Sequence, residues 1–187
     1  MSDRSPASPD LLLVQHFINT LDVETVADEV GTPAALAAWL QERGLGAIEV
    51  GPEGHARTLA LREALRGLAL ANNGGAQYPL DLGTLNLVAA EARLRPRFGR
   101  GGARLEPEAE GVDAALGRLL ATVYQAMGDG SWERLKACAM HDCRFVFYDE
   151  SKNGTRTWCS MRVCGNRAKV RRFRARAAAA STSPSIN

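Results

Sequence analysis

Residues 138–167, CAMHDCRFVFYDESKNGTRTWCSMRVCGNR, hold all four cysteines of this 187-residue chain in the pattern Cys-x4-Cys-x15-Cys-x4-Cys. The four are Cys138, Cys143, Cys159 and Cys164. Two close pairs separated by a longer spacer are typical of a tetrahedral metal site to which each pair supplies two ligands. Because four thiolates close the coordination shell, the pattern predicts a structural Zn²⁺ and no catalytic metal.

Disulfides are the less favoured interpretation of these cysteines. The N-terminus lacks the basic-then-apolar pattern of a secretory signal, and no apolar run approaches the ~18–20 residues of a membrane span. We therefore expect a cytoplasmic protein without a membrane partner, in a compartment that keeps thiols reduced. An iron–sulfur cluster and a redox thiol pair stay open as alternatives. His141 lies inside the first cysteine loop and is expected to be a bystander.

The spacer between the two cysteine pairs predicts a β-hairpin. Residues 144–148 and 155–158 favour strands, and Asn153-Gly154 between them is a strong turn signal. Such a hairpin would bring the two cysteine loops together. The second loop then opens a helix for which Ser160 is a suitable N-cap.

That helix, residues 161–176, is strongly basic. Its helical periodicity predicts an apolar stripe that packs on the hairpin, against Trp158 and Phe145. The apolar stripe consists of Val163, Val170 and Phe173. Two basic stripes are predicted to flank it, one of Arg167, Arg171 and Arg174 and one of Lys169, Arg172 and Arg176.

Charge divides the chain into two parts of opposite sign. Residues 1–131 hold 11 basic and 17 acidic residues, a net charge of −6, whereas residues 132–187 hold 12 and 4, a net charge of +8. Because arginine binds phosphate or guanine with two hydrogen bonds, a basic helix beside a zinc site favours DNA binding. The candidate contacts are Arg167, Lys169, Arg171, Arg172, Arg174 and Arg176. A solvated helix, or one that docks on an acidic partner, remains an alternative.

Two residues next to the last cysteine have structural interpretations. Asn166 is expected to hydrogen-bond the cysteine loop rather than to recognise an adenine. Gly165 is expected to give the backbone room beside the metal.

The remainder of the chain is predicted to be mainly α. Apolar spacing and caps indicate helices at about 10–21, 34–43, 54–72, 81–94 and 108–128, a small hairpin at 95–107, and a short helix at 132–137 capped by Ser131. Asp10 is the predicted N-cap of the first helix, and Thr32 followed by Pro33 is predicted to open the second. The predicted organisation is a disordered N-terminus (1–9), a helical domain (10–130), a ββα-like zinc-binding module with its basic helix (131–176), and a disordered tail (177–187).

The segment from Trp158 to Arg172 resembles the CGNR zinc-finger family of bacteria. Cys164-Gly165-Asn166-Arg167 is the namesake motif, and Cys138-x4-Cys143 followed by Phe145-x-Phe147-Tyr148-Asp149 fits the same family. The similarity covers about residues 132–176.

The N-terminal part resembles the companion ABATE domain of that family. The matching segments are Phe17-Ile18-Asn19-Thr20-Leu21, Leu36-x2-Trp39-Leu40 and Leu61-Arg62-x2-Leu65-Arg66. The resemblance implies a stress-related transcription regulator whose finger binds DNA. In such a regulator, the helical domain would sense a small-molecule effector or mediate association, for example as a homodimer.

Evidence for an enzyme is weak. The three histidines, His16, His55 and His141, are scattered along the sequence, and Gly99-x-Gly101-Gly102 is neither a P-loop nor a dinucleotide fingerprint. We therefore predict a non-enzymatic protein with no catalytic residues, and an enzyme in the helical domain is the least favoured alternative.

Overall fold

The computed structural model describes residues 6–76, 79–100 and 102–181, with no side chains described for 178–181. Its α-helices are α1 (Pro9–Ile18), α2 (Pro33–Glu42), α3 (Pro52–Ala71), α4 (Pro79–Glu91), α5 (Gly111–Asp129) and α6 (Asn166–Ser181). Its strands are β1 (Leu94–Gly99), β2 (Gly102–Pro107), β3 (Leu135–Ala137) and β4 (Val146–Tyr148). The predicted mainly-α class with a small C-terminal cysteine module is confirmed.

Polar caps set the starts of the first two helices. The Thr32 side chain accepts a hydrogen bond from the backbone N–H of Ala35, and Pro33 occupies the first turn of α2, as predicted. In α1 the cap is Ser8, which accepts from the N–H of Leu11, so the prediction of Asp10 as the cap is wrong. Asp10 lies in the first turn, where its negative charge interacts favourably with the helix dipole and stabilises α1.

Helices α1, α3 and α5 supply most of the hydrophobic core. The fully buried side chains of this core include Phe17, Leu61, Leu65, Leu116 and Leu119. Helix α2 adds Leu36 and Leu40, and α4 covers one side of α3 with Leu85 and Val88. The apolar faces predicted from helical periodicity are therefore the faces that pack together.

The hairpin predicted for residues 95–107 is confirmed as the antiparallel ribbon β1–β2, with Arg97 opposite Arg104. Gly117 of α5 allows the base of the ribbon to pack closely on the helix. A Cβ at that position would lie 2.8 Å from the Cβ of Ala92 and 2.9 Å from that of Pro107.

The strand pairing in the cysteine module differs from the prediction. Residues 131–134 form a 3₁₀ turn without a Ser131 cap, and residues 135–137 form β3, so the short helix predicted at 132–137 is wrong. Strand β4 pairs antiparallel with β3, and residues 155–158 are not a strand, so the hairpin predicted from 144–148 and 155–158 is also wrong. A ββα order is retained, but its first strand precedes Cys138.

Side-chain hydrogen bonds explain why residues 155–158 do not form a strand with β4. Asp149 follows β4 and accepts hydrogen bonds from the N–H groups of Ser151 and Arg156, at 3.0 and 2.9 Å, and from Lys136 Nζ at 2.9 Å. These bonds curl the chain into a turn at Gly154, where the turn was predicted. The loop then follows an irregular path that no local propensity could specify.

The termini of the chain are described only in part. The disorder predicted for 1–9 and 177–187 falls partly on residues 1–5 and 182–187, which lie outside the described residues. Within the description, residue 9 begins α1 and α6 extends to Ser181.

Candidate metal centre and basic helix

The four cysteine sulfurs lie together, each within 4.8 Å of the others. Two of the separations, Cys143–Cys159 and Cys159–Cys164, are 3.6 Å between Sγ atoms. Four sulfurs at about 2.3 Å from one Zn²⁺ in a tetrahedron would be about 3.8 Å apart. The arrangement therefore fits a single structural zinc ion with four thiolate ligands.

A tight turn after β3 presents the first two sulfurs. The N–H of Cys138 donates to the carbonyl of Phe145 at 2.9 Å, and the N–H groups of Cys143 and Arg144 both donate to the carbonyl of Met140. Arg144 has a positive φ of 52°, which reverses the chain directly after the second cysteine. The backbone of 138–145 thus closes a loop that points two sulfurs the same way.

A single π-helical turn, residues 161–165, carries Cys164, begins two residues after Cys159 and leads directly into α6. Ser160 accepts a hydrogen bond from the N–H of Val163, which confirms the predicted cap. The Asn166 side chain donates to the carbonyl of Arg162 at 3.0 Å, so it bonds the cysteine loop as expected. A Cβ at Gly165 would lie 2.9 Å from Met161 Sδ and 3.3 Å from Trp158 Cδ1. The absence of a side chain at Gly165 therefore allows Met161 and Trp158 to pack closely on this turn.

Burial of the cluster works against ionisation of the cysteines. It raises the pKa of the Cys164 thiol to about 12. It also raises the pKa of Cys159, and the adjacent thiol groups raise that pKa further. Burial disfavours the thiolate of Cys138 too, but N–H groups of Cys159 and Met140 donate to its sulfur and lower its pKa. A divalent cation would supply the positive charge that allows four adjacent thiolates.

The hydrophobic core around the sulfurs is very small. Its buried members are Cys138, Met140, Phe147 and Cys164, with Trp158 and Ala168 packed against them. The guanidinium of Arg156 stacks on the Phe147 ring at 4.6 Å and donates to the carbonyls of Trp158 and Cys159. So few apolar side chains cannot hold the loops alone, which is the situation in which a structural metal stabilises a small module.

Polar side chains of the N-terminal helices hold the backbone of the cysteine module. Asn19 donates to the carbonyl of Val146 and accepts from its N–H, both at 2.8 Å. Asn73 donates to the carbonyls of Ala137 and Thr157, each at 2.8 Å. Because residues 135, 137, 146 and 148 also belong to the main core, the module is built onto the helical part.

Arg66 makes a further connection between the two parts. Its buried guanidinium donates to the carbonyls of Ile18 and Leu21, at 2.6 and 3.2 Å, and to that of Arg144 at 3.2 Å. The last contact lies next to Cys143. A single arginine of α3 therefore orients both the end of α1 and the first cysteine loop.

These positioning residues belong to no metal-binding or DNA-binding motif in the sequence. Asn19 and Arg66 occur in the segments that carry the ABATE resemblance. Asn72 and Asn73 directly follow α3, and Asn72 donates to the carbonyls of Trp132 and Leu135. The sequence feature that could identify such asparagines is an amide side chain at a helix end, where it can hydrogen-bond the backbone groups of a neighbouring segment.

The apolar stripe of α6 does not pack as predicted. Val163 and Val170 are each 48% exposed, Phe173 is 73% exposed, and Phe145, one of the predicted partners, is itself exposed. The prediction that this stripe packs on a hairpin is wrong, because that hairpin does not form and Ala168 contacts the cysteine core instead. Every residue from 169 to 177 is exposed, so α6 projects into solvent.

Acidic partners pair with two of the three arginines in the first basic stripe of α6. Arg167 pairs with Glu24 at 2.8 Å, which raises the pKa of Arg167, and Arg171 pairs with Asp142 at 2.8 Å. Among the described residues, the other four cations of the helix form no ion pair. These four are Lys169, Arg172, Arg174 and Arg176.

The three histidines have separate surroundings in the described part of the chain. His141 is exposed and lies 3.7 Å from the carboxylate of Asp142, outside the group of four sulfurs. His55 Nε2 contacts the carbonyl of Val30 at 2.8 Å, and His16 is exposed on α1. Within the described ranges, the four cysteines are the sole group of three or more side chains placed to hold a metal.

Two protein-family models match separate parts of the chain. Residues 134–177 match the family model described as "CGNR zinc finger". Residues 12–130 match the ABATE model, described as "Putative stress-induced transcription regulator". No curated protein was found to match the chain. No helix in the described part of the chain is long and apolar enough to cross a membrane.

Proposed function

The chain belongs to the ABATE family, whose model matches well over half of its length, and from this premise we propose that it regulates transcription by binding DNA. In this proposal Cys138, Cys143, Cys159 and Cys164 bind one structural Zn²⁺, and α6 binds the duplex. The N-terminal helices position the module and respond to an effector or a second copy of the chain. The protein would act in the cytoplasm, and it would not be an enzyme, in keeping with the regulator and zinc-finger types of both matched families.

The observation that carries the proposal is the unpaired positive charge of α6. Lys169, Arg172 and Arg176 lie on one side of a projecting helix, with no acidic partner among the described residues. A helix of this kind fits the major groove, and guanidinium groups match phosphate and guanine geometry. Arg174 is equally free within the described region, whereas Arg167 and Arg171 must exchange Glu24 and Asp142 for phosphate before they can contribute.

Zinc would support this role by joining the two cysteine loops at the root of the helix. Cys164 is directly followed by Gly165 and the first residue of α6, so an ion at the sulfurs would anchor the helix where it leaves the body. We expect one zinc per chain by elemental analysis. We also expect Cys159→Ser to lower that content and to abolish DNA binding.

The test is fluorescence polarisation of the zinc-loaded chain with random and with selected duplex DNA over a salt series. Lys169→Ser/Arg172→Ser/Arg176→Ser should weaken binding and make the salt dependence less steep by up to about 0.9 per lost phosphate contact. Lys169→Arg/Arg172→Lys/Arg176→Lys retains the charge and serves as the matched control. Equal affinity of all three proteins for the selected duplex would refute the proposal, as would no preference for it over random DNA.

One observation favours a second candidate, a protein-interaction module. The exposed side chains of Val163, Val170 and Phe173 form an apolar stripe that nothing in the described chain covers. A zinc-stabilised helix with such a stripe could dock on an acidic partner with an apolar groove. In that case Phe173→Ser would abolish partner binding, and the wild type would show no preference for a selected duplex over random DNA.

A further inference from the structure

The β1–β2 ribbon projects from the helical body as a free arm. Only its base packs, where residues 94 and 105–107 are half-buried near Gly117 of α5. Every described residue from 95 to 104 is exposed. An isolated two-stranded ribbon contributes little stability in water, so an arm of this length is not explained by the core.

Positive charge is concentrated in this arm. Residues 93–104 hold five of the eleven basic residues in 1–131 and no acidic one, although that part of the chain has a net charge of −6. Arg97 and Arg104 lie directly opposite each other in the strand register. Because like charges in that position destabilise a ribbon, the pair favours an anion between or beside the two guanidiniums.

The acidic residues at the base neutralise the arm only partly. Glu106 lies 2.6 Å from Arg104 Nε and 3.8 Å from Arg97 Nε, and Glu108 lies 3.1 Å from Arg97 and 3.3 Å from Arg95. Two carboxylates therefore serve three arginines, and Arg97 and Arg104 must exchange them for phosphate on binding. Arg100, in the turn, forms no ion pair with any described residue. The net charge therefore becomes more positive from the base to the tip.

The tip also carries an unburied aromatic ring. Phe98 is 84% exposed and lies on the face opposite the arginine pair, across from Ala103. The alternation of the two strands thus produces one face of arginines and one apolar face, and beyond the packed base every described residue on both faces is exposed. Two-stranded ribbons fit duplex grooves, and arginines combined with an apolar wedge are typical of groove-binding arms.

We propose that the β1–β2 ribbon is a second DNA-binding element of this protein, an inference that rests on the proposed function of α6. Arg97, Arg100 and Arg104 bind phosphates of the same duplex, and Phe98 packs on sugars and base edges in the groove. The ribbon lies outside the zinc module, so the helical part of the chain would extend the DNA site rather than only respond to signals.

The test compares three full-length, zinc-loaded proteins by polarisation on one duplex. These are the wild type, Arg97→Ser/Arg100→Ser/Arg104→Ser, and the charge-retaining control Arg97→Lys/Arg100→Lys/Arg104→Lys. At about 0.1 M salt each phosphate contact contributes up to about eightfold to affinity, so losing one to three should weaken binding by roughly 8- to 500-fold. The salt dependence should become less steep by about 1–3, and the lysine variant should retain most of the affinity.

Phe98→Ser provides an independent readout, because it removes the wedge without changing the charge. We expect weaker binding with an unchanged salt dependence and a shorter nuclease footprint. Suppose that the wild type and the α6 variants behave as proposed, but the serine triple variant of the ribbon and Phe98→Ser both bind like the wild type. This inference is then wrong and the proposed function stands. If the wild type binds no duplex, both fall. Loss of binding to vesicles of anionic phospholipid, with DNA affinity intact, would assign the arm to a membrane surface and overturn the inference.

Discussion

Asn19→Ala tests the claim that helix α1 holds the zinc module in place. In the wild type one amide side chain satisfies both backbone groups of Val146, with two hydrogen bonds of 2.8 Å. Val146 is 0% exposed and lies in β4, only three residues after Cys143. Alanine would remove both partners and leave a buried donor and a buried acceptor unsatisfied.

The expected cost follows from that loss. A buried backbone group without a partner costs about 1–3 kcal/mol, so two would cost roughly 2–6 kcal/mol if no water entered. The space vacated by the amide can admit water, which places our expectation near the low end, at about 3 kcal/mol. For a chain of this size, that corresponds to a fall in Tm of roughly 6–12 °C.

The assay is urea unfolding of the zinc-loaded protein, followed by circular dichroism and by metal release in parallel. His16→Ala is the matched control, because His16 is exposed on the same helix and its removal should change the free energy of unfolding by less than about 0.5 kcal/mol. We also expect faster zinc release from Asn19→Ala than from the control. If Asn19→Ala unfolds within 0.5 kcal/mol of the wild type, the pairing with Val146 does not hold the module and our argument for its attachment is wrong.

Three further predictions concern other parts of the molecule. Gly117→Ala should destabilise the protein by about 1–3 kcal/mol, because its methyl group would collide with the base of the ribbon. Gly128→Ala on the same helix has nothing within 4 Å and should stabilise the protein by up to about 1 kcal/mol, so thermal unfolding of both variants checks the opposite signs. Burial opposes ionisation of Asp149, but hydrogen bonds from Ser151 and its lysine partner outweigh burial and lower its pKa to about 2. Because the pKa of Asp149 is lower in the folded than in the unfolded protein, its carboxylate should stabilise the fold fully above about pH 5 and lose that effect as the pH falls through about 4 toward 2. The difference in unfolding free energy between the wild type and Asp149→Asn, measured by urea unfolding across that range, should therefore become smaller as the pH falls. Glu24→Gln frees Arg167 from its ion pair, so DNA affinity should rise and the salt dependence should steepen by up to about 0.9; an unchanged slope in polarisation titrations would show that Arg167 does not reach phosphate.

The sequence alone was sufficient for features that depend on local chemistry. Caps and helical periodicity located α2, α3 and α5 to within a few residues, because the cap at Thr32 and the apolar faces need no distant partner. The spacing of Cys138, Cys143, Cys159 and Cys164 predicted a shared metal site, since ligand number and loop length follow from coordination geometry.

What only the tertiary structure decided was which segments satisfy each other's backbone groups. Residues 155–158 have good strand propensity, yet β4 pairs with residues 135–137, because Asp149 redirects the chain and Asn73 captures the carbonyl of Thr157. The stripe of α6 that includes Phe173 looked like a packing face, but no strand lies beneath it. Periodicity shows that a helix has an apolar side, whereas a buried hydrogen bond between residues 127 positions apart, such as that of Asn19 with Val146, depends on the assembled fold.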